Sequence, residues 1–308
     1  MANVPQTVAS PVGSPIAQTA RKGWAFAREA PLLPMVILAS ILFLAIFADL
    51  LPLHDPEVSV KDKLTGRPVA GTLPPAWMDG GTWRMPLGTD FQSRDILSRV
   101  IYGARVSLIV GLVGTLAAGA IGTVLGMLAG YMGKWWDQVI MRITDAWLAL
   151  PTLIFAIFLA SIRGAGLWNI VIILTLVFWS RYARQVRAEV LSLRERDFVK
   201  LAEVTGASRV RIMLKHILPN VMNTVMVLFS LTIGVAIIIE ASLSFLGVGV
   251  PPPTPAWGLM MADGKGPLIG GDWWISVFPG IAIMLLVLAA NLLGDWLRVR
   301  LDPQLRNR

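Results

Sequence analysis

The sequence contains no cysteine, so it can form neither a disulfide nor a thiolate metal site. It has two histidines, His54 and His216, too far apart in the chain to suggest a shared metal. Charge is also scarce. Charged residues make up 15% of the chain, where a soluble domain carries about 25%. No Gly-x-x-x-x-Gly-Lys-Ser/Thr occurs, and Gly133-Lys134 runs into Trp135, so there is no such cradle for nucleotide phosphates. His-Glu-x-x-His and Gly-x-Ser-x-Gly are missing, which removes two hydrolase signatures. Asp145 has no second acid at a suggestive spacing, and Arg142 is its expected partner.

Apolar residues dominate, at 55% of the chain, and they collect in runs: Leu32–Leu53, Val106–Tyr131, Trp147–Ile162, Leu167–Tyr182, Ile217–Ile239 and Ile275–Trp296. A span needs about 20 residues to cross the hydrocarbon, and four runs meet that. The third and fourth are shorter and separated only by Arg163-Gly164-Ala165-Gly166. A tight helical hairpin with interfacial Trp147, Trp168, Trp179 and Tyr182 at its ends is expected there. Arg21, Lys22 and Arg28 precede the first run, which follows Pro31, contains Pro34 and has no clear cleavage site. It reads as an uncleaved span.

The net charge of +8 is distributed between the runs rather than along one face, which reads as topology and not as nucleic-acid binding. With the N-terminus inside, inner segments hold 18 Lys/Arg and the short outer ones only Arg163 and Lys265. The long segment 54–105 holds seven, but long segments translocate largely regardless of charge. The expected fold is therefore all-α, a polytopic membrane bundle of six transmembrane helices with both termini cytoplasmic. Its parts are a disordered tail (1–30), a first span (31–53), a periplasmic segment with a surface helix (54–105), a five-helix core (106–296) and a cytoplasmic tail (297–308). A cytoplasmic loop, 183–216, interrupts the core.

In the second run Gly114, Ala118, Gly122, Gly126 and Gly130 place a small residue at every fourth position. Neighbouring backbones can approach that face closely, within the chain or at a subunit interface.

The loop carries the most structured signal. Phe198, Leu201, Ala202 and Thr205 fall at i, i+3, i+4, i+7. Gly206 offers a left-handed helix stop and Ser208 an N-cap for a second helix with Val210, Met213, Leu214 and Ile217 on one face. Arg209, Arg211 and Lys215 form a basic rim. By pattern alone this is either a docking elbow or an amphipathic helix lying on anionic lipid.

Upstream of the second run, Asp90 or Ser93 can cap a helix whose apolar face is Ile96, Leu97, Val100 and Ile101, with Arg94, Arg99 and Arg105 facing water or headgroups. Glu240, near the outer end of the fifth run, either has a function or reaches the interface. The proline run Pro251-Pro252-Pro253 forms a stiff outer loop.

These segments together resemble permeases of ATP-binding-cassette importers of the dipeptide/oligopeptide/nickel family, from about Pro86 to Leu305. The loop resembles the "EAA" segment, matched by Ala202, Gly206 and Leu218-Pro219. Lys200 stands where that pattern has Glu, Leu201 where it has Ala, and His216 where it commonly has Ile. His216-Ile217-Leu218-Pro219-Asn220 is similar to the peptide branch. Pro86–Arg99 with Tyr102–Leu108 resembles the outer entry to the second span, although Ser93 replaces a usual Gly. Glu240–Gly247, Val250–Gly258 and Asn291–Asp295 with Leu301-Asp302-Pro303 also match.

The resemblance implies the type I importer permease fold in a bacterial inner membrane. It implies a second homologous permease, two ATPase subunits and a periplasmic substrate-binding protein as partners, with lipid around the spans. Lys200, Leu201, Ala202, Gly206, Ala207, Ser208, Arg209, Arg211, His216, Leu218 and Pro219 become ATPase-coupling residues. Asp90, Arg94, Asp95 and Glu240 become gate or periplasmic candidates. No cofactor is expected here; ATP and Mg belong to the partners. The competing class, an ion-coupled secondary transporter or channel, requires acids inside spans and inverted repeats.

Overall fold

The computed structural model describes residues 31–61 and 71–301. The expected tail 1–30, with Arg21, Lys22 and Arg28, lies outside the described residues, as do 62–70 and 302–308, with Asp302-Pro303. The described residues contain helices and no strand; Thr89 and Asp95 form an isolated bridge.

Among the described residues ten α-helices run in order: α1 Leu32–Phe47, α2 Ile96–Met127, α3 Lys134–Ala149, α4 Thr152–Arg163, α5 Leu167–Arg194, α6 Asp197–Val204, α7 Arg209–Ile212, α8 Leu218–Phe245, α9 Trp257–Asp263 and α10 Trp274–Leu301. Wider π turns extend α2 through Leu128–Met132 and join α7 to α8 through Met213–Ile217. Among the described residues four stretches are long and apolar enough to cross a membrane: Leu32–Leu50, Ile96–Met132, Arg209–Phe245 and Trp274–Arg300. The pair α3 and α4 makes a fifth if counted as one span, bent by 97°. Leu150-Pro151 forms the bend, since proline disfavours helix in the residue before it. The hairpin turn Gly164–Gly166 lies where the sequence places it, with Gly164 at φ +82°. However, α5 runs on to Arg194, far past the expected end at Tyr182.

Small residues determine the tightest packing. The face of α2 bearing Gly114, Ala118, Gly122, Gly126 and Gly130 lies directly on α5. A Cβ added at Gly122 would stand 2.4 Å from the Trp179 carbonyl oxygen and 2.5 Å from Tyr182 Cβ. At Gly126 it would stand 2.7 Å from the Ala183 oxygen, and at Gly130 2.8 Å from Val190 Cβ. The stripe is an intramolecular seam. Trp179 and Tyr182 are buried along it rather than interfacial, while Trp168 is exposed.

Three other expectations are corrected. The helix starting at Ile96 is the beginning of α2, not a separate surface helix, because nothing between Ile96 and Val106 breaks it. Gly103 there makes room for Trp257, whose indole N–H donates to the Val100 carbonyl at 2.8 Å. Arg94 and Arg99 do not face water; they are 3% and 1% exposed. Asp145 pairs with Arg184 of α5, not with Arg142, and Asp137 pairs with Arg187.

Candidate functional site

The elbow of α6 and α7 is built by local rules. Ala207 N–H donates to the Ala202 carbonyl and Gly206 N–H to the Glu203 carbonyl, each at 3.0 Å. That pair is a Schellman stop, and it requires the left-handed backbone that Gly206 adopts at φ +79°. A Cβ at Gly206 would meet nothing within 4 Å, so glycine is needed here for its backbone and not for space. Ser208 then caps α7, its hydroxyl accepting from Arg211 N–H at 3.4 Å. Pro219 lies in the first turn of α8, directly after the π turn.

The inner face of the elbow closes a small core. Val199 and Ala202 of α6, Ile212 of α7, and Met213 and Ile217 of the π turn pack against Met127 and Tyr131 at the end of α2 and Val186 and Val190 of α5. The Tyr131 hydroxyl donates to Glu203 at 2.9 Å, tying α6 to the tip of α2. Lys200 Nζ lies 3.2 Å from Glu195, whose carboxyl is held below its ordinary value chiefly by that lysine. A polar cavity of about 350 Å³ opens between these groups, lined by Tyr131, Arg194, Glu195, Lys200, Glu203 and Arg209.

The outer face has no such cover. Leu201 is 65% exposed, Val204 85% and Val210 59%. Gly206, Ser208, Arg209 and Arg211 are exposed, and His216 is half-buried with its ring 6.5 Å from that of Phe198. The structure thus brings the coupling residues expected from sequence onto one corner. Leu218 forms the join to α8 and packs against the elbow core.

The other candidates form two separate groups. Asp95, not Asp90 or Ser93, caps α2, accepting from Ser98 N–H at 3.1 Å. Asp90 instead organises the loop before it, accepting from the backbone N–H of Gln92 and Arg94, each at 2.9 Å. Arg94 Nε donates to Asp90 at 2.7 Å, and its other end reaches Asp263 of α9 at 3.3 Å. Arg99 joins this cluster, 3.6 Å from Asp90, and donates to the Pro56 carbonyl at 3.0 Å. Burial raises the Asp263 carboxyl above its ordinary value, and Arg94 and Arg99 oppose that shift. Asp263 gave no sequence signal, lying 169 residues from Arg94. Glu240 is fully buried and accepts from Ser107 at 3.1 Å and Ser244 at 2.9 Å, joining α2 to α8. Among the described residues no group of three or more His, Asp or Glu could hold a metal ion.

The binding-protein-dependent transport system inner membrane component family matches residues 122–307. The di/tripeptide transport system permease protein DppC of Pseudomonas aeruginosa is 41% identical over 273 residues, 89% of this chain and 88% of that protein. The Escherichia coli dipeptide permease DppC is 40% identical over 88% of each chain. The glutathione permease GsiD of Pectobacterium atrosepticum is 42% identical over 72% of this chain and 73% of that one. Among solved structures, the inward-facing MetNI methionine ABC transporter matches at TM-score 0.56 and 16% identity, covering 67% of this chain and 98% of that chain. That last likeness is one of fold.

Proposed function

The chain belongs to the family of inner membrane components of binding-protein-dependent transport systems, and from that premise we propose that it forms half the pore of an ATP-driven importer of di- and oligopeptides or related small solutes. It is a permease subunit, and a chain of this family is not itself the catalyst. In this reading ATP and Mg are bound by two ATPase partners, a second homologous permease completes the pore, and a periplasmic binding protein delivers cargo. The membrane is the bacterial inner membrane. The relatives' names, di/tripeptide, dipeptide and glutathione, support small peptides as the cargo class.

Six crossings result if α1, α2, the bent pair α3–α4, α5, α8 and α10 each traverse the bilayer. The basic residues at the elbow end of α5 then favour placing that end and both tails in the cytoplasm. The observation that carries the proposal is the elbow: a helical corner packed on its own core by one face and bare on the other. ATP-driven closure of the motor moves this corner, and differential contacts in the two states rock the halves between inward- and outward-open forms. The secondary-transporter alternative calls for buried acids inside spans together with inverted repeats. Glu240 is buried but already accepts from two serines.

Gly206→Arg is the test. Its side chain enters open space, and the left-handed backbone costs a non-glycine residue about 1–2 kcal/mol. Substrate-stimulated ATP hydrolysis by the reconstituted complex should be lost while the binding protein still captures substrate. Unchanged stimulation defeats the proposal.

A further inference from the structure

We propose that the segment 72–91 is an interfacial anchor, with its tip, Trp77 to Arg84, seated in the lipid headgroup layer beside the first turn of α10. This end of the bundle is opposite the elbow. The proposal needs only that α10 crosses the membrane and does not depend on what the elbow docks to.

The segment holds its own shape. Thr89 N–H donates to the Leu73 carbonyl at 3.0 Å and Ala76 N–H to the Pro86 carbonyl at 3.1 Å, which closes the neck of the loop. Met78 N–H to the Pro75 carbonyl and Gly81 N–H to the Met78 carbonyl, each at 2.9 Å, turn the tip. The neck is pinned to the start of α10, where the Thr72 hydroxyl donates to Asp272 at 2.7 Å and the Trp274 indole N–H to the Thr89 carbonyl at 3.2 Å. Pro75 and Met85 are buried within the loop. Trp77 and Trp83 are turned outward, 58% and 79% exposed, with Met78 beside them.

The indole N–H groups say what covers this tip. Trp147, Trp257 and Trp274 each donate to a backbone carbonyl, of Leu176, Val100 and Thr89. Among the described residues the N–H groups of Trp77 and Trp83 have no acceptor. A ring that gains by leaving water and an N–H that needs an oxygen are both satisfied by the ester and phosphate level of a bilayer. Trp168, exposed at the head of α5, stands at the same end of the bundle, and Trp135 and Trp136, exposed at the start of α3, stand at the other. Indoles therefore mark both edges. Asp79 and Arg84 are exposed and, among the described residues, make no ion pair. Their charges cancel, so the tip offers no net charge to steer a charged protein surface, while each can meet the opposite charge of a zwitterionic headgroup.

Depth agrees. From Ile275 to Gly294 α10 carries no charged residue, and those 20 residues rise about 30 Å, the thickness of the hydrocarbon. Trp274 thus stands at its edge. The Trp77 ring packs edge-on against Phe278, one turn along α10, with centroids 6.1 Å apart. The tip cannot make that contact and stand clear of the bilayer.

The chain has no cysteine, so Asp79→Cys takes a single nitroxide label and leaves both indoles in place. In the whole complex in zwitterionic nanodiscs, this label should collide more with oxygen, which concentrates in lipid, than with a water-soluble nickel chelate. Glu57→Cys, exposed on the same end, should show the reverse. Adding Trp77→Ala and Trp83→Ala should abolish the oxygen preference at Asp79→Cys, and both side chains are exposed enough to be removed without unfolding the loop. Chelate access at Asp79→Cys equal to that at Glu57→Cys puts the tip in water and overturns the proposal. Protection from both reagents assigns the tip to a protein, the second permease or the binding protein, and also overturns it. An oxygen preference that survives the loss of both indoles, or that requires anionic lipid, refutes the indole anchor.

Discussion

Replacing Gly122 by Ala adds one carbon where the structure has no room for it. The new Cβ would stand 2.4 Å from the Trp179 oxygen and 2.5 Å from Tyr182 Cβ, both on α5. Carbons in ordinary contact sit about 3.5–4.0 Å apart, so α2 and α5 must separate locally by about 1 Å. Overpacking of this size costs about 1–3 kcal/mol. The neighbouring positions set up a graded series. Gly114→Ala meets Leu174 Cβ at 3.3 Å, a contact that a small shift relieves, while Gly126→Ala meets the Ala183 oxygen at 2.7 Å. Gly280→Ala in α10 is the control, because its Cβ would lie 3.8 Å from Met261 Cε. There the change should stabilise by about 0.4–1 kcal/mol through reduced backbone freedom in the unfolded chain. Thermal unfolding of the complex in nanodiscs should rank the midpoints Gly280→Ala, wild type, Gly114→Ala, Gly126→Ala, Gly122→Ala from high to low. Equal midpoints for Gly122→Ala and Gly280→Ala would refute the claim that backbone proximity makes this seam.

The elbow and the outer cluster give further expected outcomes. Ser208→Ala removes the α7 cap and should cost about 1 kcal/mol locally, seen as faster amide exchange at Arg211 with the spans unchanged. Tyr131→Phe breaks the tie between Glu203 and the tip of α2 and should reduce transport per ATP hydrolysed more than it reduces hydrolysis; equal losses would make Tyr131 merely structural. Asp263, whose folded-state carboxyl is raised by burial above the ordinary 3.8, contributes stability below that value that is lost as pH rises through its folded pKa. Asp263→Asn should flatten that decline between acid and neutral pH in the unfolding midpoint, and an unchanged slope would contradict the assignment.

The elbow is legible from sequence because its signals are local. Gly206 and Ser208 act within a few residues, and Leu218-Pro219 marks the next helix start. The small-residue stripe is legible as a face, and the structure supplies its partner, α5. The outer cluster is not legible. Arg94 and Arg99 look like headgroup contacts because nothing nearby in sequence neutralises them fully, and Asp263 is supplied by α9, far along the chain. Sequence places the start of α2 too late for a related reason. Arg105 reads as the end of the outer segment, yet it and Tyr102 both bond to Asp49 just past α1, so polar groups at the head of a continuous helix are satisfied across the bundle. Proximity along the chain pairs Asp145 with Arg142, whereas the bent α3 carries it to Arg184 of α5.

The 28 residues of α5 contain no proline, no glycine and no change of helical type. Such a rod of about 42 Å cannot absorb a twist midway, so rotation at one end appears at the other. A tilt of about 10° about its lower end would sweep the upper end by about 7 Å, more than twice the width of a water molecule. The Arg163–Gly166 turn at that upper end would therefore swing whenever Arg196 and the short helices beyond it are displaced.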